Sequence, residues 1–477
     1  MTTIDRRTLL KKGLTAAGGL AFAGPFQGLL ARAALAQTGR PPMGEGFGPL
    51  VPIPDKRDGV VRLWLPEDFN YRSFSFTGET MSDGVTVPGR QDGMAAFPAG
   101  RGRVRLVRNH EVNGPGTAFG NPAKAYDPMA QGGTSTLEIS AHAESVRSWV
   151  SMNGTQMNCA GGGMPWGSWL TCEETVNGPD VGPDFTGGDN TLLTQRHGYV
   201  YEVKSRWGPG QHEKGVPIRS AGRFAHEAVD WAKGRLYLTE DDFNFPSGFY
   251  RYTPPADPMV VGELRDGGML EMLAIDGEWN AELHTGQTVG EPLPVTWVTI
   301  DEPDKEFPEG TTNDQAIVFV ANQGLDKGAA IFSRLEGIHA VGDDVYIVST
   351  QGGDAPGNPS GFGDGFGQVF KHDISEQTLT LVYESPGKEV LDLPDNLIVT
   401  PRGGVMLCED GTVDNFLRVV TPEGTLFDFG KNAIAGREGE EFAGSTFSPS
   451  GNVLYVNIQA SSGLTFAIWG PFARGGL

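Results

Sequence analysis

An all-β fold, a six-bladed β-propeller with long blade-tip loops, is the class this 477-residue chain predicts, and three observations predict it. First, a short apolar strand that runs into carboxylates recurs: RVRLVRNHE at 103–111, SWLTCEE at 168–174, RLYLTEDD at 235–242 and VMLCED at 405–410, with weaker copies DVYIVSTQGGD at 344–354 and NVLYVNIQ at 452–459. Second, glycine (69) and proline (33) break the chain into short strands and turns, and no long segment keeps a helical period. Third, the copies are tens of residues apart at irregular spacing, which fits blades with variable loops better than a sandwich of uniform strands. Six copies predict six blades.

The first stretch stands apart from the fold. Asp5-Arg6-Arg7-Thr8-Leu9-Leu10-Lys11-Lys12 is a twin-arginine pattern, followed by a Gly/Ala/Leu-rich run over 13–30 and a small-residue site Ala34-Leu35-Ala36. This reads as a Tat export signal over 1–36 rather than a membrane anchor, leaving a mature chain from Gln37. The Tat machinery carries proteins already folded, which raises the expectation of a metal installed in the cytoplasm. Loss of this stretch removes five basic residues and one acid, so the net charge moves from −22 to −26. A surface this acidic argues against nucleic acid or anionic lipid as partner and leaves carboxylates for hard cations, although solubility alone also accounts for many of them.

The remainder, 37–477, reads as one propeller domain with its core from about Gly44 and no interdomain linker. In four copies an acid precedes a first strand, a glycine-containing turn follows, and the second strand begins. The four are His226-Glu227 before AVDWAKG, Arg334-Leu335-Glu336 before GIHAVGD, Pro394-Asp395-Asn396 before LIVTPRGG, and Glu440-Glu441 before FAGSTFSPSG. Each is a β-hairpin. Innermost propeller strands line a channel, so acids at equivalent strand starts would face one another across it. The polar loops 177–195 and 352–367 fall at blade tips, as ordinary solvated loops or as lids.

Facing carboxylates repel and persist only with protons or cations. A ring of Glu227, Glu336, Asp395 and Glu441, joined by Glu111 and by Glu173 or Glu174, therefore points to metal. Oxygen ligands alone indicate calcium, magnesium or manganese; a thiolate from Cys172, inside Thr171-Cys172-Glu173-Glu174, would bring in iron or zinc. A small buried apolar residue is the competing reading for Cys172 and the better one for Cys408. Three cysteines (159, 172 and 408) make a poor disulfide framework. Eight histidines are too few for a His-rich zinc site, and His110 and His226, each before a glutamate, read as supporting groups on the opposite strand face. Arg334 lies two residues from Glu336 and so on its face, as counter-ion or, with metals neutralising the acids, as an anion-gripping fork. Gly161-Gly162-Gly163 has no Lys-Ser/Thr after it and is not a P-loop.

The set RNHE at 108–111, WGSWLTCEE at 166–174, GRFAHEAVDW at 222–231, RLEG at 334–337, PDNL at 394–397 and EFAGSTFSPSGNVLYVNIQ at 441–459 resembles the PhoX-type alkaline phosphatases. That resemblance spans most of the mature chain. It implies a periplasmic or secreted six-bladed propeller with a cluster of two Fe3+ and two or three Ca2+ ions, acting as a monomer on small-molecule phosphate monoesters. By motif, Cys172 would bind the iron pair, Glu227, Glu336, Asp395 and Glu441 would be cluster ligands, Glu173 or Glu174 and Glu111 would bind calcium, and Arg334 would hold the substrate phosphate. A metal-bound oxo or hydroxo group would be the nucleophile. The chain is shorter than the best-known members, which puts substrate access and the number of metal sites in question. The alternatives are a calcium-dependent lactonase-like hydrolase, which has no need of a thiolate, and a non-catalytic propeller stabilised by its metals.

Overall fold

The computed structural model describes residues 47–184, 186–354, 361–475 and 477; the expected export signal lies outside them. Three strands open the fold: β1 (Leu50–Pro54), β2 (Val61–Pro66) and β3 (Asn70–Phe74). Antiparallel units then follow one another along the chain. The first is β4 (Gln91–Pro98), β5 (Arg103–His110), β6 (Gly132–Ser140) and β7 (Val146–Thr155), and the second is β8 (Asn158–Met164), β9 (Ser168–Glu173) and β10 (Val200–Lys204). The third is β11 (His226–Ala232), β12 (Arg235–Glu240), β13 (Phe249–Thr253) and β14 (Met269–Ile275), extended by β15 (Pro292–Thr299). The fourth is β16 (Leu335–Val341), β17 (Asp344–Ser349), β18 (Gln368–Asp373) and β19 (Thr378–Glu384), and the fifth is β20 (Pro394–Val399), β21 (Val405–Glu409), β22 (Phe416–Val420) and β23 (Leu426–Asn432). The last is β24 (Glu441–Phe447), β25 (Val453–Gln459) and β26 (Leu464–Trp469).

The first strands of these units pack side by side in the order β4, β8, β11, β16, β20, β24, and β24 returns to β4. That closed cycle makes the protein a β-propeller with a central channel. The main apolar clusters lie between consecutive units. Tyr237, Phe249 and Leu273 of the third meet Ile338, Ile347 and Phe370 of the fourth, for example, and Leu417 and Phe429 of the fifth meet Phe442 and Phe466 of the last. Each sheet thus buries both faces, which explains why its strands read as nearly continuous apolar runs.

The ends of the chain are tied together. β3 pairs with β26 from Asn70↔Trp469 to Phe74↔Thr465, so an early strand completes the last unit, while β2 adds to the edge of β23. Closure of this kind locks the start of the chain onto its last unit and so holds the ring shut. Among the described residues no helix is long and apolar enough to cross a membrane.

Candidate metal centre

The inner strands break register at one place. The ladder skips two residues between Gln91 and Met94 in β4, Asn158 and Gly161 in β8, His226 and Val229 in β11, Leu335 and Ile338 in β16, and Pro394 and Leu397 in β20. The first skipped residue is Asp92, Cys159, Glu227, Glu336 or Asp395, and the second is Gly93, Ala160, Ala228, Gly337 or Asn396. A bulge frees a residue from the ladder and re-aims its side chain; here it turns a carboxylate or thiol out of the sheet. In four of the five the second residue is Gly or Ala, which answers to crowding at the channel. A Cβ on Gly93 would lie 2.5 Å from the Ala160 Cα, and one on Gly337 2.5 Å from the Leu397 nitrogen. β24 differs: Glu441 stays paired with Gln459 and the irregularity falls later, between Ala443 and Thr446.

A second tier comes from the ends of the neighbouring strands. The residue just beyond each second strand donates its N–H to the carbonyl that precedes the inner strand: Glu111 to Arg90 (2.9 Å), Glu174 to Met157 (2.9 Å), Asp241 to Ala225 (3.1 Å), Thr350 to Arg334 (2.8 Å) and Asp410 to Leu393 (2.9 Å). Four of these five carry carboxylates to the same end of the channel. Ligand atoms of Cys159, Glu174 and Glu227 lie within 4.8 Å of one another, and so do those of Glu227, Glu336 and Asp395, so that Glu227 is common to two donor sets. Arg334 closes the group. Its Nε and Nη2 meet Asp241 at 3.0 and 2.9 Å, its Nη2 lies 2.5 Å from Glu336, and its guanidinium sits 3.9 Å above the Phe243 ring.

Burial first, and then mutual repulsion, push these acids toward their neutral forms. Asp92, Glu174, Glu227 and Glu441 are all raised well above the usual carboxylate range by desolvation and by neighbours that include Asp395, Asp241 or Asp410. Glu336 is raised as well, by burial that the nearby Arg334 only partly offsets. Glu111 and Asp410 are pushed up to about 7, again with burial the larger cause. Burial and Glu227 hold the Cys159 thiol protonated. Oδ1 of Asp92 and Oε1 of Glu441 are buried without a hydrogen-bond partner among the described residues. Orphaned carboxylate oxygens beside one sulfur are a donor set that multivalent cations would satisfy.

Of the residues singled out in the sequence, Glu111, Glu174, Glu227, Arg334, Glu336, Asp395 and Glu441 meet at this one end of the channel. Two do not. Cys172 packs in an apolar cluster with Leu170, Val200 and Val229 and belongs to neither donor set. Glu173 turns away from the channel, 2.6 Å from Nδ1 of His197, and accepts from the backbone N–H groups of Gln156 and Gly198 at 2.9 and 2.8 Å. Cys159, Asp92, Asp241 and Asp410 join the cluster although they are not among the site residues the sequence predicts. Asp92-Gly93 repeats the acid-small pattern of Glu336-Gly337, and Asp241 and Asp410 end two of the recurring strands, so a signal existed for each. Only the Asn158-Cys159-Ala160-Gly161 stretch carries no acid to mark it. His110 bonds Ser135 at 2.8 Å and His226 bonds the Gly222 carbonyl at 3.0 Å.

Fold and acid cluster together define a class: a β-propeller that gathers buried carboxylates and a thiol at one end of its channel. The family model "Alkaline phosphatase PhoX" matches residues 45–147 and 140–462, and the chain belongs to that family of metal-dependent phosphatases. Its fold is similar to that of Pseudomonas fluorescens PhoX, solved in complex with vanadate as a transition-state analogue. The TM-score is 0.62 at 16% identity, over 91% of this chain and 99% of that one. A streptogramin B lyase matches more distantly, at a TM-score of 0.38 and 10% identity over 84% of this chain and 97% of that one. No curated protein sequence matches the chain.

Proposed function

We propose that the enzyme hydrolyses small-molecule phosphate monoesters at a centre of two ferric and two or three calcium ions, held by Cys159, Glu174, Glu227, Glu336, Asp395 and Glu441, with Asp92, Glu111 and Asp410 around them. One observation carries this reading: Glu227 belongs both to the set with Cys159 and Glu174 and to the set with Glu336 and Asp395. A carboxylate offers two oxygens, so Glu227 would serve two cations at once. The thiolate-bearing set suits iron and the oxygen-only set suits calcium. Cys159 thus takes the role that sequence motifs suggested for Cys172, and Glu174 the role left open between it and Glu173.

The bound ions would supply positive charge to the phosphate oxygens and leaving group and would acidify water. The chain's own contribution is orientation and charge. Asp241 holds Nε and Nη2 of Arg334, and Phe243 supports the guanidinium plane; among the described residues Nη1 has no hydrogen bond, so it is the donor left for a substrate phosphate. The bulges fix each acid against a packed neighbouring strand, so little ordering remains when substrate arrives. The twin-arginine segment supports Tat export to the periplasm or the medium, as a single-domain monomer beginning at Gln37.

Metal analysis of protein folded in the cytoplasm and purified without chelator tests the assignment, alongside p-nitrophenyl phosphate turnover. Cys159→Ala is expected to lose iron and at least about 100-fold in kcat, whereas Cys172→Ala keeps both. Iron retained in full by Cys159→Ala would overturn the thiolate assignment.

A further inference from the structure

The inner-strand cycle sets β4 and β16 three places apart in either direction, so the first and fourth units face each other across the channel. The residue just before the inner strand's hydrogen-bonded start is Arg90 in the first unit and Arg334 in the fourth. Both are left-handed, each at φ 50°, and the carbonyl of each accepts from the residue just beyond the second strand. The same position holds Met157 (φ 41°), Ala225 and Leu393 (φ 47°) in other units. A backbone that accepts Met, Ala and Leu does not require arginine. Two arginines set opposite each other at the rim of an acid-lined mouth therefore call for a chemical reason.

Their surroundings differ. Arg334 is buried and held by two carboxylates. Arg90 is 53% exposed, and its one ionic neighbour among the described residues is Glu111 at 3.9 Å, too long for a hydrogen bond. Its fork is unused. We infer that Arg90 is a specificity-determining residue that binds a second anionic group on the leaving-group side of the substrate, so that the enzyme favours phosphomonoesters whose leaving group carries a carboxylate or a further phosphate. This rests on the reading of Arg334 as the grip on the transferred phosphate.

The test uses the metal-loaded full chain and two inhibitors that differ by one carboxylate, propylphosphonate and 3-phosphonopropionate, with affinities measured calorimetrically. Wild-type enzyme is expected to bind 3-phosphonopropionate more tightly. In Arg90→Gln that preference falls about tenfold, in Arg90→Lys by less, and metal content stays at the wild-type level. In turnover the same change appears as a higher KM for a bisphosphorylated substrate relative to p-nitrophenyl phosphate. An equal loss for both inhibitors, or no loss, overturns the role of Arg90. Arg334→Ala separates the two readings: if it leaves propylphosphonate affinity intact, the Arg334 grip fails whatever Arg90 does. Wild-type enzyme that binds neither compound overturns both.

Discussion

Glu173 and Glu174 are neighbours in the chain and opposites in circumstance. Glu173 is buried in a self-sufficient polar pocket, where three backbone N–H groups, the Tyr201 hydroxyl and His197 satisfy it and Asp127 flanks the far side of the ring at 3.5 Å. Glu174 emerges one residue later among Glu111, Asp241 and Glu336, all of its own sign, and burial and those neighbours raise its pKa together. A buried carboxylate costs little where the protein supplies the compensating charge. Where it does not, the fold is incomplete without something positive, and that contrast separates structural acids from the site.

Removing cations should strain the channel and spare the His197 pocket. Stripped protein is expected to lose several kcal/mol of stability, and the loss should depend on pH in a defined sense. The channel acids have folded pKa values raised above their free values, Glu111 and Asp410 to about 7. The folded apo protein therefore holds more protons than the unfolded chain between about pH 4.5 and 7, and its stability falls as pH rises through that window. Urea unfolding of apo and loaded enzyme at pH 5 and pH 8 reads this directly. Apo protein equally stable at both values would mean that the acids are compensated from within.

Converting the satisfied acid gives the second largest effect. Glu173→Ala leaves the buried N–H groups of Gln156, Gly198 and Tyr199 and the Tyr201 hydroxyl without this acceptor, and His197 with Asp127 alone, which should cost about 3–5 kcal/mol. Metal content of the protein that does fold should match the wild type, whereas Glu174→Ala should lower it with a smaller change in the stability of the metal-free form. A Glu173 variant that folds normally but loses metal would place Glu173 back among the ligands.

How legible this contrast was follows from the same residues. The recurring strand with terminal acids announced the units and the channel, because apolar runs ending in carboxylates cannot be buried throughout. Its parity stayed hidden. Whether Glu173 or Glu174 faces the channel depends on where the Asn158↔Glu173 pairing ends, and nothing local encodes that. Cys172 stood beside acids in the chain, while Cys159 reaches them only because a bulge in β8 turns it out of the sheet. A bulge leaves no more trace in sequence than a small residue after the re-aimed one. The pairing of β3 with β26 joins residues nearly 400 positions apart and has no local signature either.

The smallest effect belongs to His197 and bears on the satisfied side of the comparison. Burial alone would lower its pKa, but Glu173 and Asp127 outweigh it and raise it to about 9, against a free value of 6.5. A histidine raised in the folded state adds stability that is complete below about pH 6.5 and is lost as pH climbs through about 9. Loaded enzyme should therefore be less stable at pH 9.5 than at pH 6.5 by on the order of 2 kcal/mol from this group. In Glu173→Gln most of that slope should vanish, since the neutral amide removes the nearer charge. Chemical-shift titration of the His197 ring in the loaded protein checks the cause separately from the stability: a midpoint at or below 6.5 would mean that the pocket holds a neutral imidazole at neutral pH, and that its self-sufficiency comes from hydrogen bonds without an ion pair.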